Sequence, residues 1–393
     1  MSDGVVRDGD AVEALWADAE WRAVVAAFAL NGFLFGAWAA RVPAFKDGFG
    51  LAPGTLGLLL LALAGGAIAA FPLAGALSER WGAPRLTVRC AWVYIPALVL
   101  LTVAPTPLAL GVTLAIFGAL HGAMDVAMNG WGARVEMRTG RSTMSVFHAM
   151  FSLGAGLGAA SGFAAAHFGQ GPSEHFAAVA LVGGAVALAV MLPASRSNDA
   201  AASSASGTLF ALPSGPLLLV GLIAFAVSMG EGAMADWSAV FLRVAAEATE
   251  AQAALGYAVF SAAMVLMRLC GGLLVERFGA VATVRASAST AAFGLAIAII
   301  GQSVPMVLIG FTFTGLGYAV VMPLVFSRAA RDPHVAAGPA IASVATLGYG
   351  GMLLGPPIIG FAAQVTGMRL SFTLLMGLAL LATVLAGRLR VQG

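Results

Sequence analysis

The chain has 393 residues, of which 60% are hydrophobic and only 10% are charged, and its formal net charge at pH 7 is +2. A soluble domain carries roughly one-quarter charged residues, so the composition excludes water as the main solvent of the fold. We therefore expect membrane lipid as the main partner of its surface, and no nucleic acid.

Apolar stretches of about 20 residues, the length that crosses a ~30 Å hydrocarbon core, recur along the chain. Segments of this length satisfy their backbone hydrogen bonds as helices, because barrel strands would be about half as long. The predicted fold class is an all-α membrane protein with twelve transmembrane helices in two parallel-repeat six-helix bundles. The predicted spans are 22–42, 54–78, 86–104, 107–129, 143–167, 174–192, 215–241, 252–275, 281–302, 305–327, 339–364 and 369–388.

The polar, Ser/Ala-rich stretch 193–214 predicts a cytoplasmic linker between an N-terminal bundle at 22–192 and a C-terminal bundle at 215–388. Residues 1–21 and 389–393 are predicted to be cytoplasmic tails. With both termini inside, fifteen of the 20 basic residues lie on the cytoplasmic side. This asymmetry predicts a multi-pass protein of the bacterial inner membrane with both termini cytoplasmic.

The two halves repeat each other. The loop after the second span reads GALSERWG from Gly75 to Gly82, and the loop after the eighth reads GLLVERFG from Gly272 to Gly279, at an offset of 197 residues. Glycines elsewhere follow the same offset. Such parallel repeats are typical of one class of secondary transporter.

The repeated G-x-x-x-E-R-x-G loop resembles the signature loop of the major facilitator superfamily, although that loop usually has Asp where this chain has Glu79 and Glu276. The segments W-A-A-R-V-P, D-V-A-M-N and E-G-A-M-A-D-W resemble the bacterial YbjJ-like group, a relative of the fucose-permease branch. The resemblance implies a carrier of the cell membrane that works by alternating access, and gives no firm substrate. It implies gating roles for Gly75, Glu79, Arg80, Gly82, Gly272, Glu276, Arg277 and Gly279.

The source of energy follows by exclusion. The only lysine, Lys46, lies in F-K-D-G, so no phosphate-binding loop of an ATPase can be built around it. Five scattered histidines supply no metal-ligand pattern. We expect no cofactor, no metal and no enzymatic activity, and an ion gradient or the gradient of the solute as the driving force.

Asp125 is the first candidate proton carrier. It shares one helix face with His121 and Asn129, at spacings of four residues. A carboxylate in a partly dry cavity has its charged form disfavoured, which suits proton exchange at physiological pH. The alternative is a structural pair with Arg134 or Arg138.

Glu231 and His148 are the other candidates for proton coupling. Glu231 lies between Gly230 and Gly232, a composition that suits a bent helix and close backbone approach. Its predicted role is solute binding or proton transfer, and the alternative is a structural contact. His148 titrates near neutral pH when unperturbed, but a structural, hydrogen-bonded histidine is an equal alternative.

Polar and aromatic residues of the spans define a predicted solute site. Flat amphipathic rings and amide groups suit a small polar solute. The predicted solute-binding residues are Asn31, Trp38, His121, Asn129, His148, Glu231, Trp237, Tyr257, Tyr318 and Tyr349.

Three contacts are predicted to control access. An ion pair between Arg41 and Asp236 would close the outer gate, and the alternative is a solvated pair within an aromatic belt. Glu79 and Glu276 would act as cytoplasmic latches against the eleventh and fifth spans, each at a helix N-terminus that favours negative charge.

The leading functional prediction is proton-coupled transport of a small polar solute, such as a sugar, by a monomer. The first alternative is proton-driven export of a drug or metabolite. The second alternative, a sensor or scaffold that has lost transport, is disfavoured because both gating loops are present.

Overall fold

The computed structural model describes residues 15–141, 143–195 and 212–390. These residues form helices and connecting turns, with no strand among them. Most residues of the two predicted tails and of the predicted linker therefore lie outside the described residues. The helices are α1 Ala19–Gly48, α2 Pro53–Trp81, α3 Ala83–Leu100, α4 Pro107–Thr139, α5 Met144–His167, α6 Pro172–Ala194, α7 Pro216–Ala245, α8 Glu250–Ile300, α9 Val304–Tyr318, α10 Val321–Ala330, α11 Ala337–Thr366 and α12 Met368–Leu385.

Eleven helical segments of the described chain are long and apolar enough to cross a membrane. One of them, α8, has 51 residues and would extend for about 75 Å, more than twice the hydrocarbon thickness. Its backbone leaves helical geometry at Gly279, where φ is 77°. This break divides α8 into the predicted eighth and ninth spans.

The glycine that ends each signature loop has the same backbone conformation. Gly82 lies between α2 and α3 with φ 82° and ψ 141°, and Gly279 has φ 77° and ψ 162°. A side chain would be strained at these positive φ values, so only glycine adopts them at low cost. The internal repeat seen in the sequence therefore has a counterpart in backbone geometry.

Helix packing repeats in the same way. A Cβ atom on Gly118 would overlap the carbonyl oxygen of Leu63, and a Cβ atom on Gly315 would overlap that of Phe260. Gly118 and Gly315 are related by the offset of 197 residues, and so are Leu63 and Phe260. We call residues up to α6 the N-terminal half and residues from α7 the C-terminal half. The halves meet along α2 with α11, α5 with α8, and α1 with α7.

The outside of the bundle is apolar. Large hydrophobic side chains are exposed on many helices, with Leu108 80% and Val365 85% exposed. In a soluble protein so much exposed apolar surface would drive association, whereas lipid solvates it. The multi-pass membrane architecture predicted from composition is confirmed.

The predicted tenth span differs from a single helix. It consists of α9 and α10, which are separated at Ala319 and Val320. Pro323 lacks the N–H that would bond the carbonyl of Ala319 in a continuous helix. The interruption lies next to Tyr318, one of the predicted solute-binding residues.

Candidate solute and proton pathway

The bundle has two ends that differ in their charged residues. One, the Arg41 end, holds the end of α1 and the start of α8, and the other, the Glu79 end, holds the two signature loops. At the Arg41 end, Arg41 is only 1% exposed and donates from Nη1 to Glu250 Oε1 at 2.5 Å, which joins the N-terminal half to the C-terminal half. A second, exposed pair joins Arg243 to Asp47 at 3.1 Å.

The predicted partner of Arg41 is therefore wrong. Asp236 is buried and makes no hydrogen bond or ion pair to another residue of the described segments. Glu250 replaces it because it is the first residue of α8, where Thr249 and Gln252 form a capping box that fixes the helix start. The helix dipole favours a carboxylate at that position.

Close backbone contact between the halves also closes the Arg41 end. A Cβ atom on Gly57 of α2 would lie 2.9 Å from the carbonyl oxygen of Pro356, and one on Gly360 of α11 would lie 2.6 Å from that of Pro53. The amide of Gly54 donates to Gln364 Oε1 at 3.2 Å. No water-filled path passes between helices at such distances, so this end of the structure is closed.

Asp125 and its neighbours lie on the N-terminal side of the central region. Asn129 Nδ2 donates to Asp125 Oδ1 at 3.2 Å and to the carbonyl of Asp125 at 2.9 Å. The basic residues proposed as structural partners bond elsewhere, with Arg134 on Glu20 at 2.7 Å and Arg138 on Asp18. Asp125 thus has an amide partner rather than a basic one.

Arg268 of α8 lies on the C-terminal side of the central region. Its Nη2 lies 3.8 Å from Glu231 Oε2, within the C-terminal half. Its Nη1 donates to the carbonyl of His148 at 3.1 Å and to Ser152 Oγ at 2.5 Å, both on α5. Arg268 thus bonds an acid of its own half and two groups of α5. One guanidinium therefore links Glu231 to the N-terminal half.

The break between α9 and α10 belongs to the same cluster. Arg268 Nε lies 3.5 Å from the carbonyl of Ala319, the group that Pro323 leaves without a helical donor. Tyr318 is fully buried and its ring packs against Gly230, where any side chain would collide with it. The glycine before Glu231 therefore allows Tyr318 to lie beside the carboxylate.

Several polar atoms of predicted solute-binding residues are buried with no hydrogen-bond partner among the described residues. A buried polar atom without a partner is costly, by roughly 1–3 kcal/mol, unless something else satisfies it. These atoms are Asn31 Oδ1, Trp38 Nε1, Glu231 Oε1, Trp237 Nε1 and Tyr318 OH.

Three of the predicted aromatic residues are buried toward the Arg41 end of the bundle. Trp38 and Trp237 are fully buried, so neither belongs to an aromatic belt at the lipid interface. Trp237 lies beneath the α2–α11 contact, 3.2 Å from the position of a Cβ on Gly360. Tyr257 contacts Phe35 of the other half, with ring centroids 6.5 Å apart.

Tyr349 lines a cavity of about 90 Å³ in the C-terminal half, between α7, α10 and α11. Ser228 and Met352 form part of its wall. The ring of Tyr349 also packs edge-on against Phe71 of α2, at a centroid distance of 5.0 Å. Tyr349 therefore lies both in the cavity wall and at the boundary between the halves.

The two central histidines have different surroundings. His121 Nδ1 lies 3.1 Å from the hydroxyl of Tyr94, and its ring stacks on Phe35 with centroids 4.9 Å apart. His148 is exposed and packs edge-on against Phe28 at 5.3 Å. The structure therefore gives His121 a half-buried aromatic environment and leaves the ring of His148 accessible.

Both signature loops lie at the Glu79 end of the bundle. Glu79, Arg80, Glu276 and Arg277 are all exposed. Glu276 makes no hydrogen bond or ion pair with another described residue, so the contact predicted between it and the fifth span is absent in this conformation. Gly75 and Gly272 have open space where a Cβ atom would lie.

Sequence reasoning missed Glu250, His175 and Tyr94. Each contacts a predicted residue across helices that are distant in the chain: Glu250 and His175 contact Arg41, and Tyr94 contacts His121. The capping pattern Thr249-x-x-Gln252 was a local signal for the start of α8. No local signal paired that start with Arg41.

The two six-helix halves, closed at one end and joined by polar residues in the middle, define a polytopic membrane carrier. The family model described as Major Facilitator Superfamily matches residues 220–392. An uncharacterized transporter of Sinorhizobium fredii is 46% identical over 93% of this chain and 97% of its own length. An uncharacterized MFS-type transporter of Yersinia pestis is 36% identical over 88% of this chain and 89% of its own length.

Solved structures share the fold. The crystal structure of the nucleoside transporter NupG aligns with a TM-score of 0.71 at 14% identity, covering 95% of this chain and 100% of that one. The chain belongs to the Major Facilitator Superfamily and is a membrane transporter rather than an enzyme.

Proposed function

We propose that this protein is a proton-coupled secondary transporter that moves a small polar solute, with sugars as one suitable class, across the bacterial inner membrane. The proposal includes the relationship to the YbjJ-like group, action as a monomer, and cytoplasmic termini. The last of these assigns the Glu79 end to the cytoplasm, in line with the excess of basic residues there.

The observation that carries the proposal is the guanidinium of Arg268 between Glu231 on one half and the α5 groups of the other half. Charged groups inside a membrane protein are costly and usually serve a pathway. When Glu231 binds a proton, Arg268 loses a charged partner in the C-terminal half while its hydrogen bonds to α5 remain. Proton binding is thereby coupled to the contact between the halves.

Asp125 is the second proton group in this proposal. It is an ionisable residue whose side chain has only the amide of Asn129 as a hydrogen-bond partner among the described residues. No basic residue of the described segments holds it in the charged form, so it is available to bind a proton. The unpartnered polar atoms of Asn31, Trp38, Trp237 and Tyr318 support a polar solute because such a ligand would supply hydrogen-bond partners.

Export of a cationic drug or metabolite is the second candidate. Two carboxylates in the central region, Asp125 and Glu231, would attract a cation. Arg268 neutralises one of them at 3.8 Å, which favours a neutral polar solute over a cation. A thermal-shift screen of sugars, organic acids and cationic drugs identifies the class, because a ligand that prefers the folded state raises its apparent stability.

The test uses the ligand found in that screen, in reconstituted vesicles. An uncharged Asn mimics protonated Asp, so we expect Asp125→Asn to keep solute exchange but to lose accumulation driven by a pH gradient. Glu231→Gln should weaken solute binding itself. Glu247→Gln, an exposed acid at the Arg41 end, is the matched control. Accumulation by Asp125→Asn at the wild-type level would remove Asp125 as proton carrier.

A further inference from the structure

A buried polar cluster surrounds Arg41 on the N-terminal side of the closed end. Besides Glu250, Arg41 contacts two groups of its own half: Nη2 donates to the carbonyl of Gln170 at 2.9 Å, and Nε donates to His175 Nδ1 at 3.3 Å. His175 is 2% exposed and lies in the first turn of α6. The contact between an arginine and a histidine ring nitrogen places strict limits on the protonation of that nitrogen.

The hydrogen bonds assign the tautomer of His175. The guanidinium of Arg41 only donates, so Nδ1 must carry a lone pair. On the other side of the ring, Nε2 lies 2.9 Å from Ser161 Oγ, and Ser161 gives its single hydroxyl hydrogen to the carbonyl of Gly158 at 2.6 Å. Ser161 therefore accepts from Nε2–H. His175 is neutral in this conformation, with Nδ1 as the acceptor.

From this geometry we infer that His175 is a proton-binding site that releases the gate at the Arg41 end. A proton on Nδ1 replaces the acceptor with an N–H group that faces the N–H of Arg41, and two cations then lie about one hydrogen-bond length apart. Arg41 moves away, and its contact with Glu250 across the halves is lost. This inference rests on the alternating-access function proposed above.

The remaining charges around the cluster are consistent with this role. Among described residues, α1 presents Arg41, α8 presents Glu250, and α5 presents the uncharged Ser161. On α6 itself, the neighbouring Glu174 is exposed and makes no contact with the ring. The side chain of Glu250 is 40% exposed, so solution at the Arg41 end contacts the ion pair between Arg41 and Glu250. Protons from the solution reach the cluster by this route. Among the described residues, no acid makes a hydrogen bond or ion pair with the ring of His175 that would offset the repulsion from Arg41.

The experiment measures the distance between the halves directly. Cysteines replace the exposed residues Gly48 and Glu247 in a background carrying Cys90→Ala and Cys270→Ala, and both carry spin labels. Pulsed electron paramagnetic resonance of the protein in lipid nanodiscs is recorded between about pH 8 and about pH 5, where an unperturbed histidine titrates. In the otherwise wild-type protein, the ratio of long to short distances should rise on acidification, by up to about tenfold per pH unit for one linked proton.

The variant His175→Gln should remove this response. Its amide oxygen accepts from Arg41 and its amide nitrogen donates to Ser161, but it binds no proton, so the short distance should persist at both pH values. His167→Gln is the matched control, because His167 is an exposed histidine at the same end of the bundle. It should respond to pH as the parent does. A response of His175→Gln equal to that of the parent, or no response of the parent, overturns the inference.

A second variant keeps the test decisive if His175→Gln does not fold. Arg41→Gln removes the ion pair, so the long distance should dominate at both pH values. Persistence of the short distance in that variant also overturns the inference. Neither measurement uses solute or a gradient, so a failed transport assay and a failed gate assay are distinguishable.

Discussion

At the scale of single residues, Arg268 makes polar contacts with four other residues of the membrane region. It bonds Ser152 and the carbonyls of His148 and Ala319, and it pairs with Glu231. Removing one partner of a buried pair leaves the other charge uncompensated, which costs more than removing both. A double-mutant comparison therefore separates the charge pair from the other hydrogen bonds.

We expect Arg268→Gln to reduce the free energy of unfolding by about 2–3 kcal/mol, below the ~3–5 kcal/mol of a fully buried pair, because Glu231 retains 25% exposure. Adding Glu231→Gln to that variant should recover part of the loss, because no unpaired carboxylate remains. Melting temperatures in detergent provide the measurement.

The control is Arg243→Gln. Arg243 pairs with Asp47 at the surface, where the two side chains are 38% and 50% exposed, so its loss should cost no more than ~1 kcal/mol. Equal losses for Arg268→Gln and for the double variant would show that the pair with Glu231 contributes nothing to stability.

At the scale of helices, glycines determine how closely neighbours pack. A Cβ atom on Gly154 of α5 would overlap the carbonyl oxygen of Ala29 on α1, and one on Gly351 of α11 would overlap that of Phe225 on α7. Gly154 and Gly351 are related by the repeat offset. These two glycines therefore serve as contacts within each half, where backbones approach without side chains between them.

We expect Gly154→Ala to destabilise the protein by roughly 1–3 kcal/mol, because the added methyl group meets rigid backbone and forces α1 and α5 apart. Gly65→Ala is the control. It lies inside α2 with open space at its Cβ position, so it should be neutral or gain up to ~1 kcal/mol from helix propensity. Melting of the two variants in one detergent tests the difference, and equal behaviour would contradict it.

At the scale of the whole molecule, the structure is closed at the Arg41 end while Glu276 at the other end is exposed. This combination is the one expected if Glu276 forms its latch contact in the opposite conformation. Replacing both Glu79 and Glu276 with Gln should then raise the population that is open at the Glu79 end, because the competing conformation loses the Glu276 latch.

A cysteine at Ser228, which lines the cavity beside Tyr349, measures this population by its rate of reaction with a thiol reagent applied at the Glu79 end. The background again carries Cys90→Ala and Cys270→Ala. We expect faster labelling in the double variant and an unchanged rate in Glu247→Gln. An unchanged rate in a folded double variant would refute the latch role.

The amino-acid sequence alone determined the membrane class, the number of spans and the internal repeat. These properties depend on hydrophobic length and on local backbone demands, and both are written in consecutive residues. The glycine that ends each signature loop is an example, because its positive φ is a local requirement. The sequence shows Pro323 but does not predict that the helix is interrupted there, because many membrane helices contain a proline without interruption.

The tertiary structure decided which charges meet. Sequence placed Arg41 and an acid at one end of the bundle, but several acids near that end were available, among them Asp47, Asp236, Glu247 and Glu250. The packing and rotation of the helices brought Glu250 rather than Asp236 to Arg41. It likewise placed Arg268 beside Glu231 and α5. Such pairings depend on how whole helices rotate and pack. Residues far apart in the chain contribute to that packing, so no local sequence pattern predicts it.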